Sequence, residues 1–109
     1  MIARVWTARA AATNALRYVS HLRDAVLPVV QKMPGYVGAT LLERQDGDDI
    51  KIVVMTWWRS ADDIRAFAGD DITRAVVTDE ARALLAQFDR EVQHFDVTLN
   101  EPGLKPGPS

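Results

Sequence analysis

The segment VVMTWWRSADDIRAFAGDDITRAVVTDEARALLAQFD, residues 53–89, decides the fold, because it joins a strand to a series of capped helical segments. Ser60 is a suitable N-cap for the helix that follows the strand, and Gly69 is a residue type that commonly ends a helix. Thr78 caps a further helix, with acidic residues in its first turn where the helix dipole favours them. The apolar face of this further helix is predicted to comprise Ala81, Leu84, Leu85 and Phe88.

The rest of the chain adds one long helix and more strands. The alternation typical of strands is found at residues 2–7, 36–44, 50–58 and 91–99. From about Ala11 to Met33, apolar residues such as Leu16, Val19 and Leu22 recur at steps of three and four, which predicts a helix. Pro28 removes a backbone donor within it, so we expect a kink or a break near residues 25–27.

This order of elements predicts an α+β, ferredoxin-like βαββαβ subunit. Right-handed crossovers place the four antiparallel strands in the order 4-1-3-2, with the helices on one face of the sheet. The strand at residues 50–58 carries apolar residues on both faces, yet the helices of one small domain cover only one. We therefore expect a homodimer, in which a second copy covers the open face.

Composition limits the classes of protein that remain. The chain has 109 residues, 48% apolar and 26% charged, which predicts one globular domain at residues 1–99 and a proline-rich, flexible tail at residues 100–109. A net charge of −2 with scattered basic residues gives no reason to expect nucleic acid as a partner. No apolar run approaches the roughly 20 residues of a membrane span. We expect no membrane partner and a cytoplasmic location.

Few residues of the sequence suggest catalytic chemistry. The chain has no cysteine, its two histidines lie far apart, and neighbouring carboxylates do not converge on one ion, so no metal site is expected. His94 and Asp96 share one face of a strand, and a nearby carboxylate favours a protonated imidazole that could act as an acid, a base or an anchor. The alternative for His94 is a hydrogen-bonded residue of the subunit interface. His21 is interpreted as a solvated helix residue.

Aromatic residues predict a pocket. Trp6 and Trp58 lie on neighbouring strands of the predicted sheet, and Phe67 lies on the helix that follows Trp58. If all three point towards the helices, they enclose an apolar pocket that suits a flat aromatic ligand. The alternative is ordinary core packing. Arg4 lies beside Trp6 on the same strand face, and its alternative is an arginine whose head reaches solvent from an edge strand.

Four segments resemble the antibiotic biosynthesis monooxygenase family of the dimeric α/β-barrel superfamily. They are IARVW at residues 2–6, VLPVVQKMPGYVGATLLER at 26–44, WWRSADDIRAFAG at 57–69 and VQHFDV at 92–97. The resemblance implies a ferredoxin-like subunit, a homodimer whose two sheets face each other as a dimeric α/β barrel, and a pocket between sheet and helices in each subunit.

The resemblance also implies a chemistry. Some members oxidise anthrone-like or quinol-like polyketides without metal or flavin, because the deprotonated substrate itself reduces dioxygen, and others degrade haem. Trp58 matches the pocket tryptophan of the anthrone-oxidising members, whose asparagine, tyrosine and arginine fall on Val54, on Ile64 and near Thr78. The asparagine, tryptophan and histidine of the haem-degrading members fall roughly on Trp6, Phe67 and Val77.

Two functions therefore remain open. The first is a monooxygenase, independent of any cofactor, that oxidises a small quinol, phenol or anthrone-like molecule. In it, Trp6, Trp58 and Phe67 shape the pocket with Val54 and Ile64, and Arg4 or His94 stabilises a phenolate. The second is a dimeric small-molecule-binding protein without catalysis, which the apolar Val54 and Ile64 favour. Haem degradation is disfavoured, because Val77 cannot bind iron.

Overall fold

The computed structural model describes residues 1–101, and the part of the predicted tail beyond residue 101 lies outside the described residues. The elements are β1 (Ile2–Ala11), α1 (Ala12–His21), a π-helical segment (Leu22–Val26), α2 (Leu27–Val30), β2 (Tyr36–Asp46), β3 (Asp49–Trp58), α3 (Ala61–Ala68), α4 (Asp79–Leu84), β4 (Gln87–Phe88) and β5 (Gln93–Asp96).

The strands form one antiparallel sheet in the order β2-β3-β1-β4, and β5 pairs with the same edge of β1 as β4 does. This confirms the α+β, ferredoxin-like fold and the predicted strand order. The predicted fourth strand, residues 91–99, is shorter in the structure, where β5 pairs with residues 2–5. β4 lies before the predicted range and is an additional short strand, which pairs with Ala8 and Arg9. β1 therefore lies inside the sheet, with β3 on one side and the two short strands on the other.

The predicted helical face that ends at Phe88 is wrong in its second half. α4 stops at Leu84, and Leu85 already has an extended backbone, with ψ at 135°. The next residues hydrogen-bond to β1 instead, since the Ala86 N–H donates to the Arg9 carbonyl at 2.8 Å. Phe88 consequently lies on β4, where its ring lies 6.3 Å from that of Trp6 between centroids.

Several helix ends lie at the residues that the sequence predicts. The Ser60 hydroxyl accepts the Asp63 N–H at 3.2 Å, and the Thr78 hydroxyl accepts the Ala81 N–H at 3.1 Å, so both predicted N-caps are confirmed. Gly69 follows α3 with φ at +90°, as expected of the residue that ends it. The break that Pro28 predicts is also confirmed, because a π-helical segment precedes α2 and Pro28 lies in the first turn of α2.

Alternate residues of β1 and β3 point to opposite faces of the sheet. On the helix side, two buried clusters form, one around Ile52, Ala10 and Tyr18 and the other around Trp58 and Ile64. The other face carries apolar side chains, and no element within residues 1–101 covers it. Its members, assigned from the register, are Val5, Leu42, Val53, Met55, Trp57 and Phe95.

Gly35 sets the distance between the turn before β2 and the start of α3. Its φ is +82°, and a Cβ built on it would lie 2.5 Å from the Cβ of Asp63. Gly35→Ala is expected to lower the free energy of unfolding by about 3 kcal/mol, because a left-handed backbone costs about 1–2 kcal/mol and overpacking about 1–3 kcal/mol. Urea denaturation measures the change.

Gly47→Ala is the matched control for this prediction. Gly47 has a comparable φ of +64°, but nothing lies within 4 Å of the built Cβ. It should lose only the backbone contribution of about 1–2 kcal/mol. Equal losses at the two glycines would show that the contact between Gly35 and Asp63 does not matter.

Candidate active site

A cavity with a volume of about 110 Å³ lies between the sheet and the helices. β1 and β3 form one wall, α1 and the π-helical segment form another, and the chain between α3 and α4 passes along the third. Its lining is mostly apolar, with a few polar groups. The lining residues are Arg4, Trp6, Tyr18, His21, Leu22, Val26, Leu27, Val30, Val54, Thr56, Phe67, Ala75, Val76, Val77, Thr78, Ala81 and Val92.

Arg4 is the charged residue of this lining, and only 5% of its surface is exposed. It does not lie on an edge strand, because β1 is paired on both sides. Its Nη1 donates to the Ile72 carbonyl at 2.5 Å, and its Nη2 donates to the Arg74 carbonyl at 2.7 Å. Its carbon Cζ lies 5.8 Å from the centre of the Phe67 ring. Two backbone carbonyls thus fix the guanidinium against the cavity wall.

No carboxylate neutralises this guanidinium within residues 1–101, where the ion pairs formed by other arginines do not include Arg4. Burial lowers the pKa of Arg4 to about 10, which still leaves it positively charged near neutral pH. A buried cation without an anionic partner is costly unless a partner is supplied. The cavity therefore favours a ligand that carries negative charge.

His94 lies beside Arg4 rather than in the cavity lining. Nη1 of Arg4 lies 3.0 Å from Nε2 of His94, and since an arginine can only donate, Nε2 accepts and the ring proton is on Nδ1. Burial, and then the charge of Arg4, lower the pKa of His94. The expectation that Asp96 favours a protonated imidazole is wrong, although the register places both on one face, because Arg4 is the charge that acts on the ring. His94 thus helps to hold Arg4.

The five residues predicted to shape a pocket occupy two layers. Trp6, Val54 and Phe67 lie on the cavity wall. Trp58 and Ile64 are fully buried behind that wall and do not line it. Trp58 supports the wall in two ways, because its ring stacks on Phe67 at 5.4 Å and its Nε1 donates to the Thr56 hydroxyl at 2.9 Å.

Polar residues on the helix side of the cavity were missed or misinterpreted at the level of sequence. Tyr18 is buried, and burial raises the pKa of its hydroxyl to about 12. His21 is not simply solvated, since its Nε2 lies 2.8 Å from the hydroxyl of Thr78. Their spacing held a signal, because Ala15, Tyr18 and Leu22 recur at helical steps and His21 lies one turn after Tyr18. Leu16, which the periodicity places on the apolar face of the helix, is instead 72% exposed.

Stability should depend on the protonation of His94. The pKa of His94 is lowered from its ordinary 6.5, so the unfolded chain binds the proton more tightly than the folded one. This contribution to the free energy of unfolding is complete above pH 6.5 and is lost as the pH falls through that value towards the folded pKa. In urea titrations between pH 5 and 8, His94→Asn should lack this component of the decline. An identical pH dependence in both proteins would contradict the prediction.

The described residues show neither a metal site nor a membrane-spanning helix. Within residues 1–101, no three histidine, cysteine, aspartate or glutamate side chains come together as they would to hold a metal ion. Over the same residues, no helix is both long enough and apolar enough to cross a membrane.

Comparisons with known proteins agree with the fold. The model of the antibiotic biosynthesis monooxygenase family matches residues 1–79. The haem-degrader MhuD of Mycobacterium tuberculosis, with two haems in its active site, superposes with a TM-score of 0.64 at 17% identity, over 94% of this chain and 100% of that one. A variant of MhuD with two manganese protoporphyrins per active site gives 0.65 at 19% identity, with the same coverage.

Two further solved structures with a similar fold carry the name of the antibiotic biosynthesis monooxygenases. A candidate antibiotic biosynthesis monooxygenase of Chloroflexus aurantiacus superposes with a TM-score of 0.52 at 20% identity, over 95% of this chain and 98% of that one. A candidate of Bacillus cereus gives 0.54 at 14% identity, over 96% of both chains. No curated protein matches the sequence. Identities this low establish a common fold and no more.

Proposed function

We propose, from the premise that this chain belongs to the antibiotic biosynthesis monooxygenase family, that it oxidises a single-ring phenol or hydroquinone with dioxygen. The reaction takes place in the cavity between the sheet and the helices and needs no bound cofactor. One observation carries the proposal, namely that the cavity is apolar except for a few polar groups, and that the buried cation among them, Arg4, has no carboxylate partner within residues 1–101.

The size of the cavity selects the substrate class. An engineered apolar cavity of about 150 Å³ holds one benzene molecule. The cavity here, at about 110 Å³ and open to one side, matches one aromatic ring whose substituents extend outward. A tricyclic anthrone or a haem requires a much larger space. A single ring is therefore favoured over the anthrone-like substrates that the family resemblance also suggested.

The chemistry needs an electron-rich ring and a stabilised anion. Loss of the phenolic proton gives a phenolate that can transfer electrons to dioxygen, and Arg4 supplies the positive charge that stabilises it in a site with little water. For a hydroquinone, the products are a hydroxyquinone and water, so one oxygen atom enters the ring and the other leaves as water. His94 keeps the guanidinium of Arg4 in place.

Oxygen uptake tests the proposal. Purified, chelator-treated protein is mixed with a panel of hydroquinones and substituted phenols, and dioxygen consumption is followed together with the product by mass spectrometry. We expect one dioxygen consumed per hydroxyquinone formed, with one atom of ¹⁸O in the product from ¹⁸O₂. Uptake that does not exceed the rate of spontaneous oxidation across the panel would reject the proposal.

A small-molecule-binding protein without catalysis is the alternative. Val54 and Ile64 favour it, because the anthrone-oxidising members have polar residues at the matching positions. Under this alternative, native mass spectrometry detects a small aromatic ligand that copurifies unchanged. Binding of haem is tested separately, because MhuD binds haem in its active site. A shift of the Soret band when haem is titrated into this protein would identify such binding.

The same proposal includes a homodimer that forms a dimeric α/β barrel. The uncovered sheet face supports it, since its apolar members include Leu42 and Phe95, which are about half exposed in the subunit. Met55→Lys places a charge within this face and should weaken dimerisation at least tenfold, because an unpaired charge would have to be desolvated. Light scattering over a concentration series measures the effect. A monomeric wild-type protein at micromolar concentration would contradict the homodimer.

A further inference from the structure

Removal of the phenolic proton requires a base, and the cavity lining limits the candidates. Three of the lining residues can titrate, namely Arg4, Tyr18 and His21. Arg4 remains a cation and can only donate hydrogen bonds. Tyr18 holds its own proton, because burial raises its pKa to about 12. An imidazole is the side chain that most often acts as a general base, so His21 is the group of this lining that can serve.

The position of His21 is fixed from two sides. It is the last residue of α1, and its Nε2 lies 2.8 Å from the hydroxyl oxygen of Thr78. That oxygen also accepts the N–H of Ala81 at 3.1 Å, as the N-cap of α4. A hydroxyl oxygen has two lone pairs, so it can accept from both Nε2–H and the backbone. In the tautomer in which Nε2–H donates to this oxygen, Nδ1 keeps its lone pair.

We propose that His21 is the general base of this site, which takes the phenolic proton of the bound substrate on Nδ1. The inference rests on the proposed function and deepens it. The phenol O–H bond breaks, an N–H bond forms on the imidazole, and the electron pair stays on the phenolate oxygen beside the charge of Arg4. After oxidation, the imidazolium returns the proton to the oxygen atom that leaves as water. The second hydrogen of that water also comes from the substrate, which loses two hydrogens when hydroquinone becomes hydroxyquinone. Thr78 is a positioning residue that orients the ring.

The first experiment needs no turnover. The probe is 4-nitrophenol, a single-ring phenol whose anion is yellow, bound at a pH at which the free phenol is mostly protonated. In the wild-type protein, we expect the bound ligand to become yellow with little proton release to the buffer, because His21 retains the proton. In His21→Gln, whose amide can still hydrogen-bond to Thr78, the bound ligand should either stay colourless or release its proton to the buffer.

A second experiment uses turnover. His21→Gln should lower kcat for a hydroquinone by about 100-fold or more, the usual contribution of a general base, with KM within threefold. The loss should shrink to less than about tenfold for halogenated hydroquinones that are already ionised at the assay pH, because they need no base. A variant that only disturbs the packing would slow both substrate classes equally.

The outcomes separate the two proposals. Nitrophenol ionised through His21, together with no oxygen uptake from any substrate, supports the base and rejects the oxidation. Turnover that His21→Gln retains supports the oxidation and overturns the base. Equal colour and equal proton release in wild type and His21→Gln also overturn it. Thermal unfolding of the variant, expected within a few degrees of wild type, confirms that both proteins are folded in these comparisons.

Discussion

Arg4→Met should lower kcat/KM for a hydroquinone by at least about 100-fold, equivalent to about 2.7 kcal/mol of transition-state stabilisation. The guanidinium is the buried positive charge of the cavity wall, and methionine keeps much of the apolar stem while removing the charge. Without it, the phenolate would form in an apolar space with no counter-charge. The affinity for nitrophenolate should fall in parallel, because the same charge binds the ground-state anion.

The same substitution should change stability little. Removal of Arg4 leaves the carbonyls of Ile72 and Arg74 without their donor, and each lost partner costs free energy. However, Thr73 and Arg74 in this segment are exposed, so water can replace the donor, and the desolvation cost of a buried charge disappears. We expect the free energy of unfolding to stay within about 1 kcal/mol of wild type. Urea denaturation measures it.

Two control variants isolate the effect of the charge. Arg9 lies on the same strand but on the opposite face, where it pairs with Asp46, so Arg9→Met should alter kcat/KM less than twofold. Arg4→Lys keeps the charge but not the planar fork that binds two carbonyls, so a loss near tenfold is expected. Wild-type activity in Arg4→Met would show that the buried cation takes no part in the reaction.

The fold could be predicted from the sequence because its signals are local. Alternating residue types predict the strands, and Ser60, Gly69 and Thr78 predict where helices begin or end. The short strand β4 could not be predicted, since the helical spacing of Ala81, Leu84 and Leu85 continues past the point at which the helix ends. Hydrogen bonds to β1, far away in sequence, decide that segment.

The site was only partly predictable for a related reason. Alternate residues of a strand point to the same face, and this rule correctly places Arg4, Trp6 and Val54 on one side of the sheet. The alternation accumulates no error over a strand of this length. On the long helix, one apolar stripe cannot run from Leu16 to Met33, because a π-helical segment at Leu22–Val26 interrupts the repeat. The predicted apolar face therefore leaves out Tyr18, and His21 is predicted to be solvated although it lines the cavity.

Val54→Phe should abolish most binding of single-ring ligands. Val54 lies on β3 and lines the cavity, and its replacement by a benzyl side chain puts a ring into a space of about 110 Å³ that holds about one ring. A ligand could then enter only by displacing the new side chain or by overpacking, at about 1–3 kcal/mol. We expect the Kd for nitrophenol to rise at least about 30-fold, with kcat/KM lowered by a similar factor.

If a single ring binds in this cavity, Val54→Phe must weaken its binding. Val29→Phe is the matched control, because it makes the same change on α2, where the side chain is 60% exposed and does not line the cavity. It should leave the Kd unchanged, and Val54→Phe should be at least as stable as wild type, because the new ring fills a void. Unchanged affinity in Val54→Phe would place the ligand outside this cavity. Loss of affinity together with a rise in the unfolding temperature would show that ligand and side chain compete for the same ring-sized space.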